Sequence, residues 1–144
     1  RRALEAGAHM VNDITALNGD SEMADVVADM EAGVALMHMK GKPRTMQLSP
    51  VYEGDVVDEI ISWLQQRIDH AEDKGILPNQ ILIDPGIGFG KSLKHQHNLE
   101  ILRRLDEFRC LNKPILIGTS RKTFIGKILN LPELLKINVN MLKN

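Results

Sequence analysis

The residues best suited to chemistry stand at the end of one apolar run. Ile81-Leu82-Ile83 is followed by Asp84-Pro85 and then by Gly86, Gly88 and Gly90, alternating, before Lys91. An apolar run with β-branched members reads as a buried strand, and the change to Asp-Pro-Gly reads as its end. Asp84 is therefore placed at a strand's C-terminal tip. Pro85 removes a backbone donor there, and the glycines allow a sharp turn or a close approach to a ligand. In parallel α/β proteins that end of the strand is where ligands bind. Two other readings exist for such a loop. It is a tight strand-to-helix connection, or it is a nucleotide phosphate loop ending in Gly90-Lys91-Ser92. The latter fails on spacing, because the motif needs a glycine where Pro85 stands. A dinucleotide fingerprint fails as well, since the glycines run G-x-G-x-G.

Other groups invite chemistry at other run ends. Pro114-Ile115-Leu116-Ile117-Gly118 reads as a strand followed by Thr119-Ser120-Arg121-Lys122 and a helix over residues 123–129. Hydroxyls, two cations and free helix amides would converge there on an anion, unless Ser120 only caps the helix. A short strand over residues 8–14 carries the polar pair Asn12-Asp13, which also suits a plain turn. His95 and His97 could ligate a metal, but no carboxylate or cysteine spacing completes a site. The basic connection over residues 40–47 is surface charge or an attractor of an anionic substrate.

The intervening elements must position these groups. Residues 1–7 resemble the last turns of a helix closed by Gly7. Asp20 or Ser21 can cap a helix through Met23, Val26, Val27 and Met30, and residues 34–39 form the next buried strand. The clearest helix runs from about Asp55 to Lys74, with Val57, Ile61, Leu64, Ile68 and Ala71 on one face and Gly75 closing it. Trp63 lies at another angle and is expected to pack. A later helix carries Leu99, Leu102 and Leu105. Strand and helix alternate without hairpin signals, which predicts four βα units with a parallel sheet. Right-handed crossovers bring every strand's C-terminal end to one rim. Asn12, Met37, Asp84 and residues 120–122 all fall on it.

Composition bounds the function. The chain has 144 residues, 43% hydrophobic and 26% charged, enough for one core. A net charge of −1 argues against a nucleic-acid footprint. Cys110, alone in a helical apolar context, is expected to be a packed thiol, which fits a reducing, cytoplasmic setting. No apolar run is long enough to span a bilayer.

Four segments in order, residues 11–14, 36–47, 82–91 and 118–122, resemble the dihydropteroate synthases of the pterin-binding family. The Met-His-Met-x-Gly-x-Pro-x-Thr-Met and Asp-Pro-Gly-x-Gly-Phe-Gly-Lys patterns carry the likeness, and Ser120-Arg121-Lys122 separates it from the related pterin-dependent methyltransferases. The resemblance implies a parallel (β/α)8 TIM barrel, of which about four βα units are present over residues 1–131. It also implies condensation of 6-hydroxymethyl-7,8-dihydropterin pyrophosphate with p-aminobenzoate, giving dihydropteroate and pyrophosphate for folate synthesis.

By the same resemblance Asp84 accepts paired N–H groups of the pterin, Asn12 meets the ring's remaining edge and Met37 forms an apolar wall. Lys122 lies near the pterin carbonyl, Phe89 and Gly118 shape the pocket, and Thr119 and Ser120, with Lys122, receive p-aminobenzoate. Asp84 and Lys122 are the implied catalytic pair. Mg2+ is the implied cofactor, its ligand preceding Arg1 in the family together with the first three strands, while a closing Arg-x-His strand would follow the match. A homodimer is implied for the full-length family, with small-molecule substrates and neither nucleic acid nor membrane as partners. Residues 132–144 depart from the pattern and read as sequence beyond a frameshift, a premature end or a gene-fragment boundary. The isolated chain is expected to be poorly soluble or oligomeric and to lack synthase activity, a pterin-binding remnant without chemistry being the alternative.

Overall fold

The computed structural model describes residues 1–41, 50–93 and 96–131. Most of the basic connection, His95 and the tail over residues 132–144 therefore lie outside the described residues. Helix α1 (Arg2–Glu5) leads into strand β1 (Met10–Asp13), followed by α2 (Met23–Asp29) and β2 (Gly33–Met37). Then come α3 (Val56–Asp73), β3 (Ile81–Asp84), α4 (His97–Arg103), a 3-10 stretch over Leu105–Leu111 and α5 (Thr123–Ile128). The strands pair in the order β1-β2-β3, parallel throughout, and with the intervening helices they form a parallel α/β sheet.

The register fixes the two faces of the sheet. Val11 pairs with Val34 and Asp13 with Leu36, while Val34 pairs with Ile81 and Leu36 with Ile83. Side chains alternate along a strand, so these residues share one face. Val34, Leu36, Ile81 and Ile83 are fully buried there, with Val57, Ile60, Leu64 and Ile101 in the same core. Burying each such side chain contributes about 1.5–3 kcal/mol. The opposite face carries Asn12 beside Ala35, Ala35 beside Leu82 and Met37 beside Asp84.

Helix α3 owes its start to Asp55, whose carboxylate accepts from the amides of Val57 (2.9 Å) and Asp58 (3.0 Å). It ends with Gly75 N–H on the Glu72 carbonyl and Ile76 N–H on the Ala71 carbonyl, the paired bonds of a Schellman motif. Its buried face contains Ile60, whereas the expected Ile61 is only partly covered. Asp20 precedes α2 as a turn, its carboxylate on the Glu22 amide, and Glu22 is the residue at the N-cap. In the helix after β3 the buried positions are Asn98 and Ile101, with Leu99, Leu102 and Leu105 packed at its margins.

Two further expectations are corrected. The strand foreseen over residues 114–118 is an isolated parallel bridge between Ile83 and Ile115. Ile83 donates to the Pro114 carbonyl (3.0 Å) and Leu116 to the Ile83 carbonyl (2.8 Å). The rung on one side would need an N–H from residue 114 and the rung on the other an N–H from residue 85, and both are prolines. Cys110 is exposed, because in the tighter 3-10 stretch Phe108 and Leu111 take the inward positions. No helix among the described residues is long and apolar enough to cross a membrane.

Candidate functional site

The C-terminal ends of β1, β2 and β3 divide neighbouring polar residues between two roles. Asn12 and Asp13 are consecutive, so they point to opposite faces. Asp13, on the helix side, accepts from the Thr15 amide (2.8 Å), the Thr15 hydroxyl (2.7 Å) and the Leu17 amide (2.7 Å). It builds the turn after β1. Asn12 is exposed on the other face, the one that carries Met37 and Asp84.

Asp84 is buried at 8% exposure. Its Oδ1 accepts from the Gly86 amide at 2.7 Å, and its backbone carbonyl accepts from the His38 amide at 2.8 Å. Among the described residues its second oxygen, Oδ2, has no hydrogen-bond partner. Burial pushes its carboxyl above the ordinary range, opposed by the Gly86 N–H and by the charges of Lys122 and Lys91.

Lys122 stands at the N-cap of α5, and its Nζ lies 4.4 Å from the centre of the Phe89 ring. Such a placement is attractive because the ring face is electron-rich. Burial lowers the Lys122 ammonium from its ordinary value, and the Asp84 carboxylate opposes the shift. The two charges influence one another without forming an ion pair within 4 Å among the described residues. Asp84, Phe89 and Lys122 are thus brought together around the glycine loop, with Met37 paired beside Asp84 and Asn12 farther along the same sheet face.

The residues 118–120 are placed less closely. Gly118 and Ser120 are exposed and Thr119 is half-buried. A methyl group added at Gly118 would meet nothing within 4 Å. Ser120 does not cap α5, since that position belongs to Lys122 and no side chain caps it.

The loop itself is held by Lys91, His38, Asn98 and Tyr52, none of which is among the site residues expected from the sequence. Lys91, 2% exposed, places Nζ 3.0 Å from His38 Nδ1, 3.1 Å from the Gly86 carbonyl and 2.9 Å from the Phe89 carbonyl. An ammonium has three N–H donors, and all three are used. Burial holds the His38 imidazole down at about 2, with Lys91 and Lys40 adding to the effect, so the ring is neutral. Opposite a protonated Lys91, which has no lone pair, the His38 Nδ1 is the accepting nitrogen. Burial likewise draws Lys91 down to about 7, the Asp84 carboxylate pulling the other way. His38 stacks edge-on against Trp63, ring centres 4.9 Å apart, which gives Trp63 its packing role.

Gly86 is at φ +74°, and a Cβ there would fall 1.8 Å from the His38 carbonyl oxygen, so only glycine fits. Asn98 Oδ1 accepts from the Gly88 amide at 2.7 Å, and the Tyr52 hydroxyl donates to the Gly90 carbonyl at 3.0 Å. The signals for these roles were a lysine closing a glycine loop and a histidine at the end of an otherwise apolar strand. His97 sits against Tyr52, ring centres 4.8 Å apart. No group of three His, Cys, Asp or Glu side chains able to hold a metal ion occurs among the described residues.

A family model described as pterin binding enzyme matches residues 1–141. The dihydropteroate synthase of Synechocystis sp. is 45% identical over 133 residues, covering 92% of this chain and 45% of that protein. Among solved structures, the dihydropteroate synthase of Stenotrophomonas maltophilia, with imidazole in its active site, superposes with a TM-score of 0.84 at 42% identity. That match covers 90% of this chain and 48% of the other. The enzyme of Thermus thermophilus in complex with 6HMPPP superposes at 0.81 with 41% identity, over 90% of this chain and 49% of the other. The chain spans about half the length of the relatives it matches.

Proposed function

The chain belongs to the pterin-binding enzyme family, and from that premise we propose that it supplies the pterin-binding floor of a dihydropteroate synthase. The observation that carries the reading is Asp84, a buried carboxylate with Oδ1 fixed by Gly86 and Oδ2 without a partner among the described residues, on the sheet face shared by Asn12 and Met37. A pterin edge presents an amino group beside a ring N–H, which a carboxylate accepts in parallel. Asn12 offers both donor and acceptor to the rest of that edge, and Met37 a polarisable wall. Lys122 donates toward the pterin carbonyl, with Phe89 beneath its ammonium. Gly118 leaves room for the ring, and Thr119 and Ser120 receive the p-aminobenzoate end.

In the reaction the bond from the pterin's exocyclic carbon to pyrophosphate oxygen breaks and pyrophosphate takes the electron pair. The aniline nitrogen then bonds to that carbon and loses a proton. These residues orient the partners and stabilise charge, and none forms a covalent intermediate. The magnesium implied for the family would assist departure of pyrophosphate. The described residues provide it no ligand group, so no step is assigned through it. A homodimer for the whole enzyme and a cytoplasmic location belong to the same proposal, as does the division into residues 1–131 and a divergent tail.

Isothermal titration with a 6-hydroxymethyl-dihydropterin tests the reading, with Asp84→Asn as control. Saturable binding lost in the variant is the expected result, and equal binding by both proteins would overturn it. A second reading, binding without turnover, is favoured by the uncovered β1 margin of the sheet's inner face, where Met10 is 46% exposed. Assaying dihydropteroate formation from both substrates separates the two.

A further inference from the structure

Lys91 is the most deeply buried cation of the chain's described part, and each of its three acceptors holds one of the two charged residues of the candidate site. The Gly86 carbonyl belongs to the residue whose amide fixes Asp84 Oδ1. His38, which accepts through Nδ1, donates its amide to the Asp84 carbonyl. The Phe89 carbonyl belongs to the residue whose ring lies under the Lys122 ammonium. We propose that Lys91 is a positioning residue: by clamping His38, Gly86 and Phe89 together it sets the spacing between the Asp84 carboxylate and the Lys122 ammonium, and so the size and polarity pattern of the ring the site accepts.

The inference rests on the pterin-binding reading for its ligand but not for its geometry. An ammonium can serve three acceptors arranged around one atom, and nothing else in the loop joins all three. Its burial means that Lys91 itself does not meet the ligand. The neighbouring contacts agree with such a clamp, since Gly90 packs with no room for a side chain against the Lys40 backbone and Gly88 is held by Asn98. The loop is tied on every side, and Lys91 is the tie that reaches both charged residues.

The experiment is NMR on the whole chain with ε-13C-labelled lysine. Because Lys122 Nζ lies over the Phe89 ring, its ε-methylene protons are expected upfield of those of the other lysines. In Lys91→Met, with the amide signals of the three strands retained, that upfield displacement should fall by about half or more, and pterin affinity should drop on the order of tenfold. A folded Lys91→Met chain with the Lys122 signal unmoved would overturn the proposal. Should that variant not fold, the unsubstituted chain decides through the 15N shifts of His38. An unprotonated Nδ1 with a proton on Nε2 supports the clamp, and a protonated Nδ1 refutes it. If the unsubstituted chain binds no pterin while Lys91→Met still releases Lys122, the functional reading fails and the clamp stands.

Discussion

At the residue scale, buried groups make the chain sensitive to acid in a defined way. The folded-state value for His38 is about 2 against an ordinary 6.5, so below 6.5 the unfolded chain binds the extra proton and stability falls as pH drops. Between pH 6.5 and about 5 the loss should be roughly 2 kcal/mol relative to His38→Gln, read from urea midpoints of both proteins. Asp84 acts oppositely, since with a raised carboxyl pKa the folded state takes up that proton before the unfolded chain does as pH falls, and the variant comparison cancels it. Gly86 and Gly118 provide a second contrast. Gly86→Ala forces a methyl onto the His38 carbonyl at positive φ and should cost about 3 kcal/mol, whereas Gly118→Ala should change stability by less than about 1 kcal/mol. Thermal melts of the two variants check this. Asp84 was legible in the sequence because an Asp-Pro-Gly break marks a strand tip. The Lys91 clamp was not, since its partners are 53 residues and five and two residues away, and only packing brings them to one atom.

At the element scale, local signals and tertiary contacts contributed unequally. Helix α3 could be read almost to the residue, because Asp55 begins it and Gly75 ends it by local hydrogen bonds. Asp55→Ala should cost about 1 kcal/mol by urea denaturation, the usual worth of a side-chain cap. Of the positions read on its buried face, Val57, Leu64, Ile68 and Ala71 are buried and only Ile61 gives way to Ile60. Helical periodicity admits both the i+3 and the i+4 neighbour of Val57, and packing against the core selects between them. Ile60→Ala should accordingly cost about 3 kcal/mol and Ile61→Ala markedly less, in the same assay. The run over residues 114–118 has strand composition, yet Pro85 and Pro114 leave it a single bridge. A pairing depends on both partners, and neither proline reveals the loss until the register is known.

At the scale of the whole molecule, the sheet is uncovered among the described residues along its β1 margin, while Ala35, Met37 and Asp84 on the same face are buried. Met10 and Ile14 are 46% and 37% exposed, and β1 has no second strand partner among the described residues. An open edge and an apolar face together promote association. Light scattering on the purified chain should therefore give a mass above the 16.1 kDa of one copy, and a clean monomer would contradict this. The parallel order and the shared rim were foreseeable from alternating strand and helix signals, and the uncovered edge from the resemblance to about half of a barrel, whereas the burial of Ala35 and Met37 on that face depends on loops that fold over it. The alternation of Asn12 and Asp13 carries a last consequence. A slip of β1 by a single residue would exchange an uncharged group for an anion on the face that carries Asp84, placing a second negative charge where N–H donors are to be attracted. Proofreading of that strand is thus built into the turn behind it, where the Asp13 carboxylate is already committed to Thr15 and Leu17 and cannot be surrendered cheaply.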